Sequence, residues 1–185
     1  MEPPVITRQR RPFLAPIWLA ALIAVVVFAV VLAGYRSLTT TTIIVTRHAE
    51  KVLGTIADAP LTPEGEQRAQ QLARTLGAAT GPGRIDAIYI VNIRSAAMTA
   101  APLASRLGIQ PSMLRESDLQ GLSSRLLRTH RGHAVLVIAR SDTVMQMVRT
   151  LSHLKIPPIE ENDYGSAYAI NVPSIGKPNV FEIKY

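Results

Sequence analysis

Hydrophobic positions follow two regimes along the chain. From Phe13 to Ala33 no charged residue interrupts the apolar run. At ~1.5 Å rise per residue a helix of that length reaches roughly 31 Å, the thickness of a bilayer's hydrocarbon. Pro16 falls in the first turn, where a missing N–H does no harm. Trp18 and Tyr35 stand near the two ends, as interfacial aromatics do. The stretch has no polar face, so it does not suit a helix buried in a soluble core. A cleaved signal peptide shares part of the pattern, with Val31-Leu32-Ala33 before the cut, but its apolar region is usually about 7–15 residues long. The pattern therefore predicts a transmembrane helix over 13–35, a polar tail over 1–12 and a Thr-rich linker over 36–41. Arg8, Arg10 and Arg11 before the span outweigh Arg36 after it. That bias places the tail in the cytoplasm and the domain at 42–185 outside it, as a single-pass protein.

Beyond the linker, short apolar runs alternate with helical periodicity. Ile43–Val45 reads as a buried strand that continues to Arg47. Leu61-Thr62-Pro63-Glu64-Gly65-Glu66 opens a helix, with Thr62 as N-cap and Pro63 in the first helical position. Ala69, Leu72, Ala73 and Leu76 give it an apolar face, and Gly77 with Gly81–Gly83 ends it. Ile85–Val91 predicts a strand and Ala96–Leu107 a helix stopped by Gly108. Ser117–Thr129 predicts a further helix, capped by Ser117. Ala134–Ala139 is apolar on both faces, which marks a central parallel strand. Ser141–Leu154 reads as a helix broken by Ile156–Ile159. Tyr168–Val172 and Val180–Tyr185 close the chain as a pair of strands around a Pro/Gly turn. The sum is an α/β domain, a mainly parallel sheet flanked by helices on both faces.

Composition narrows the chemistry. Hydrophobic residues make up 48% and charged residues 18% of the 185, which excludes disorder by composition. There is no cysteine, so disulfides, thiolate nucleophiles and Cys-ligated metals are excluded. Of the net +7, residues 1–36 hold +3 and the remainder +4. A mildly basic domain suits a phosphorylated ligand without demanding nucleic acid. No zinc spacing, Gly-rich phosphate loop or aromatic-interleaved basic stripe occurs, so no metal, cofactor or nucleic-acid partner is expected.

The chemistry-bearing stretch is Thr42–Lys51. Its strand ends in Arg47, His48, Glu50 and Lys51, at the carboxyl end where α/β sheets present groups to ligands. A guanidinium, an imidazole and a carboxylate so close together can hold an anion, attack it and supply a proton. A charged loop after a strand is the plainer reading.

Thr46-Arg47-His48-Ala49-Glu50-Lys51 resembles the Arg-His signature of the histidine phosphatase superfamily, the phosphoglycerate-mutase-like fold. Leu61–Gly65 is similar to that family's Leu-Thr-Pro-x-Gly helix opening, and Thr99–Ala104 to its Thr-Ala-x-x-Leu-Ala. Val135–Thr143 resembles its strand and turn ending Gly-His-Ser-Asn-Thr. Glu160–Tyr164 resembles its acidic-Tyr stretch. The resemblance implies a phosphohistidine mechanism. His48 would be the nucleophile and Arg47 the first phosphate clamp. Glu50 would be the acid, although pairing with Lys51 or with a helix end is an equally good role for it. Two positions depart from the family pattern. Arg140 stands where the second histidine belongs. Ser95 stands where the second clamp arginine belongs, with Arg94 one residue early and rotated by about 100° on a helix. His130, His133 and His153 read as surface or helix-end residues that cannot replace the second histidine.

The resemblance, with these departures, implies a membrane-anchored pseudoenzyme that binds phosphate or a phosphorylated small molecule or peptide through Arg47, Arg140 and Arg94, with weak or lost hydrolysis. A working phosphomonoesterase, that is a hydrolase with Arg140 in place of the histidine, is the first alternative. A structural subunit beside a membrane-protein partner, with a vestigial pocket, is the second. The short segments 50–60 and 110–119 leave little for a lid, which favours a peptide or protein phosphate.

Overall fold

Uninterrupted aliphatic sequence and the absence of Pro after Pro16 carry the first helix a long way. The computed structural model describes residues 14–52, 58–114, 119–154, 156–160 and 162–185. The tail, Phe13, the Ser117 cap and parts of the segments 50–60 and 110–119 lie outside the described residues. Helix α1 spans Leu14–Thr39. Its stretch Ile17–Tyr35 has a mean hydropathy of 2.9 and none of it is buried. It is long and apolar enough to cross a membrane, and a signal sequence has the same character. The helix continues past Tyr35, so most of the linker expected over 36–41 is helical: no Pro or Gly breaks it there. The chain divides into two units, 1–35 and 36–185.

In the second unit, β-branched runs form a six-stranded sheet in the order β3-β2-β4-β1-β5-β6. The strands are β1 Thr41–Arg47, β2 Ile85–Val91, β3 Ser112–Leu114, β4 Ala134–Ala139, β5 Ser166–Val172 and β6 Asn179–Lys184. The first four run parallel, and β5 and β6 close the sheet antiparallel. Every residue of β4 is buried between β1 and β2, as its apolar faces predict. The crossover helices are α2 Pro63–Gly77, α3 Arg94–Leu107, α4 Leu119–Thr129 and α5 Ser141–Ser152. Helix α2 packs on α3 and α4 on α5. The apolar faces of the helices meet the sheet in one core containing Ile43, Leu72, Leu103, Leu126, Leu136 and Met147.

Local chemistry sets the helix ends. The Thr62 hydroxyl accepts from the Gly65 N–H at 3.1 Å, and Pro63 takes the first helical position. Helix α5 stops at Ser152 rather than Leu154 because His153 adopts a left-handed cap, φ 60°. Helix α3 starts at Arg94, before the expected Ala96. Strand β3 is too short to leave an alternation in the sequence.

Candidate active site

The parallel pairing of β1 with β4 brings two strand tips together. Arg47 is in register with Ala139, and the His48 N–H donates to the Ala139 carbonyl at 3.1 Å. Arg140 is the next residue and the N-cap of α5. His48 and Arg140 therefore follow adjacent strand tips, at the mouth where parallel strands present their ligands, near enough for the Arg140 charge to act on the His48 imidazole.

His48 is only 5% exposed. Its Nδ1 lies 2.8 Å from the Ala49 carbonyl oxygen. A carbonyl accepts only, so Nδ1 carries the proton and Nε2 keeps its lone pair, the tautomer a nucleophile needs. Burial pushes the imidazole below its ordinary value of 6.5; the bond to Ala49 opposes the shift, and the charges of Arg47, Lys51 and Arg140 add to it. The sign for stability follows by linkage. A histidine held neutral in the folded state contributes fully above about 6.5, and the contribution is lost as pH falls toward its lowered folded value. Thermal unfolding from pH 8 to pH 5 is expected to show a decline below pH 6.5 that is shallower in His48→Gln. Equal slopes in the two proteins would show that His48 is not held neutral.

Arg47 lies against Tyr164. Its guanidinium carbon is 4.2 Å from the ring centroid, and Nη2 donates to the phenol oxygen at 3.4 Å. The same ring stands 6.5 Å from the His48 ring. Tyr164 thus stands beside His48 and orients the Arg47 guanidinium. Thr46 anchors β1 beneath it: its hydroxyl donates to the Ser166 carbonyl and accepts from the Tyr185 hydroxyl, both at 2.9 Å.

The loop after His48 is tied from two sides. The Ala49 N–H donates to Thr99 Oγ1 at 3.0 Å, and that hydroxyl donates to the Ser95 carbonyl at 2.7 Å. Helix α3 is thereby fixed beside the His48 loop, with Ser95 buried at 2% exposure. Arg94 is exposed, and its N–H takes the Asp58 carboxylate at 2.6 Å. On the other side Glu50 meets Arg68. Nε donates to both carboxylate oxygens at 2.7 and 2.9 Å, and Nη2 reaches Oε1 at 2.6 Å. An acid must turn an oxygen toward the leaving group, and both oxygens of Glu50 face a guanidinium.

The remaining histidines lie elsewhere. His133 Nδ1 is 2.8 Å from Asp86, His130 Nε2 is 2.9 Å from the Tyr89 hydroxyl, and His153 caps α5. Among the described residues no His, Asp and Glu side chains gather as metal ligands. Tyr164, Thr99 and Arg68 went unassigned in the sequence. The first two lie in stretches that resemble family motifs, which is a usable signal, whereas nothing local marks Arg68.

Residues 43–120 match the family model of the histidine phosphatase superfamily, branch 1. No curated protein matches the chain by sequence. Solved phosphatase structures share its fold. The protein histidine phosphatase SixA, complexed with tungstate, is 19% identical at a TM-score of 0.64, covering 77% of this chain and 96% of its own. A mycobacterial glucosyl-3-phosphoglycerate phosphatase is 14% identical at 0.59, covering 71% and 90%. The phosphoserine phosphatase of Entamoeba histolytica, complexed with 3-phosphoglyceric acid, is 15% identical at 0.56, covering 78% and 97%. The domain thus has the fold of these phosphatases, and its residues 43–120 resemble the histidine phosphatase superfamily.

Proposed function

We propose that the protein is a membrane-anchored phosphate-binding domain that holds a phosphorylated ligand between Arg47 and Arg140 and transfers its phosphoryl group to His48 slowly. The observation that carries this reading is the pair of strand tips, where a buried His48 with a free Nε2 stands next to Arg140. A phosphate monoester is close to dianionic, so positioning and fixed positive charge do most of the work of binding it. In the transfer step Nε2 forms a bond to phosphorus while the bond to the leaving oxygen breaks. Water then cleaves the phosphohistidine.

Two features slow this sequence. Arg140 supplies charge but cannot share protons as an imidazole does. Glu50 is engaged by Arg68 and acts as a positioning residue for the loop rather than as the acid. Tungstate, the oxyanion named in the SixA structure, is a suitable probe. At about ten times its dissociation constant, tungstate is expected to stabilise the protein by roughly 1.4 kcal/mol, or about 3–6 °C in melting temperature for a domain of this size. Arg140→Gln removes most of that shift. No stabilisation of the parent by tungstate or phosphate overturns the reading.

A further inference from the structure

We propose that the end of the domain opposite the His48 mouth docks on anionic phospholipid, with a headgroup phosphate held between Arg128 and Arg131. The proposal builds on the anchored reading. The amino ends of β1, β2 and β4 lie at this end, as does the turn joining β5 to β6. Here a cavity of about 400 Å³ is lined by Arg128, Arg131, Thr39, Thr41 and Ser174, with Leu127, Val172 and Pro173 as apolar wall. It is tied together before any ligand arrives. The Gly132 N–H donates to the Thr41 hydroxyl at 3.3 Å, and the Ser174 hydroxyl donates to the Thr39 carbonyl at 2.9 Å. Guanidiniums and hydroxyls over an apolar wall suit a phosphate that carries a glycerol and the start of its acyl chains.

Charge around the cavity points the same way. Helices α2, α3, α4 and α5 each carry an arginine in the last turn, at this end. Helix dipoles account for a cation there. They do not account for Arg84, just before β2, or for Lys177, in the β5–β6 turn. Among the described carboxylates only Asp86 lies at this end, and His133 covers it at 2.8 Å. Glu50, Glu64, Asp142 and Asp163 belong to the opposite end. The β5–β6 turn adds Ile175, 60% exposed beside Lys177, an apolar side chain next to a cation, as surfaces that enter the lipid interface carry. The chain joins the domain at this end, at Thr41, with only residues 36–40 between it and the apolar span. A bilayer is therefore the anionic surface within reach.

The test uses the full chain in nanodiscs of phosphatidylcholine and of equimolar phosphatidylcholine and phosphatidylglycerol. Amide hydrogen exchange is followed over 127–133 and 173–178. Protection that appears only in the anionic discs, fades at high salt and is lost in the folded double variant Arg128→Gln, Arg131→Gln supports the proposal. The loss is expected to be on the order of five-fold for each arginine removed. Identical exchange in the two discs, or protection unchanged in the double variant, overturns it. Protection by inorganic phosphate in the zwitterionic discs, with no response to phosphatidylglycerol, assigns the cavity to a free anion and overturns the lipid source. If the chain does not enter phosphatidylcholine discs at all, the anchored reading fails. The docking surface is then judged by salt-reversible association with phosphatidylglycerol vesicles, whose absence overturns it too.

Discussion

Replacing Arg140 by His together with Ser95 by Arg raises aryl-phosphate hydrolysis by on the order of 10²–10³-fold, the usual worth of one preorganised donor in the transition state. Residue 140 follows Ala139, whose carbonyl receives the His48 N–H, so an imidazole there starts from the strand tip beside His48. It can give a proton to the developing phosphoryl oxygens and take it back, which a guanidinium does not do. Ser95 sits one helical turn before Thr99, whose hydroxyl receives the Ala49 N–H. A guanidinium from that position starts next to the His48 loop. Ser95 is buried, so a long side chain there must reach the open mouth or be overpacked, at a cost of roughly 1–3 kcal/mol. Melting curves of both single variants and of the double variant show whether each folds. Arg140→His alone is expected to give part of the gain. Adding His48→Ala to the double variant returns the rate to background. A folded double variant no faster than the parent, or a gain that survives His48→Ala, would count against the assignment of this pocket.

How much of this was legible depends on how local the determinants are. The β-branched run Ile43–Val45, the two-faced Ala134–Ala139 and the Thr62-Pro63 opening declare their elements within a few residues, and all three formed as read. The Arg47–His48 pair needed only its place at a strand end. Arg140 was reached because a resemblance fixed its position after β4. The Glu50–Arg68 fork was not legible. Its partners are 18 residues apart, and Arg68 reads as one more polar position on the outer face of an amphipathic helix. Thr99 shows the same limit from the other side. On helical periodicity it is a core residue, which it is at 0% exposure. Only the fold reveals that its hydroxyl holds the Ala49 N–H. The opposed ends of charge, acids near the mouth and loop cations at the far end, emerge only when crossover topology sorts the helix termini.

Gly65→Ala tests whether the Leu-Thr-Pro-x-Gly opening belongs to the site rather than to the helix alone. The backbone after His48 runs back against the start of α2. The Thr62 N–H donates to the Glu50 carbonyl at 2.9 Å, the Val52 N–H to the Pro60 carbonyl at 3.0 Å, and Lys51 bridges Leu61. Gly65 is buried at this crossing, and a methyl group on it would overlap the Glu50 carbonyl oxygen. Backbone cannot rotate aside as a side chain can. Either α2 lifts, breaking the bond from Thr62, or Glu50 shifts and takes its fork with Arg68 and the adjacent His48–Ala49 loop out of register. Alanine gains up to about 1 kcal/mol over glycine in helix propensity, while overpacking costs roughly 1–3 kcal/mol, so the net change is destabilising. The more telling readout is tungstate stabilisation, which is expected to weaken several-fold because His48 lies in the displaced loop and Arg47 directly precedes it. Gly77→Ala, at the other end of the same helix, is the control. Its new methyl group meets side chains only, those of Arg106 and Leu103, so no backbone near His48 has to shift and tungstate binding stays at the parent's level. Two variants of one helix, identical in chemistry, should therefore diverge. If Gly65→Ala bound tungstate as Gly77→Ala does, the crossing would not be what holds His48 in place.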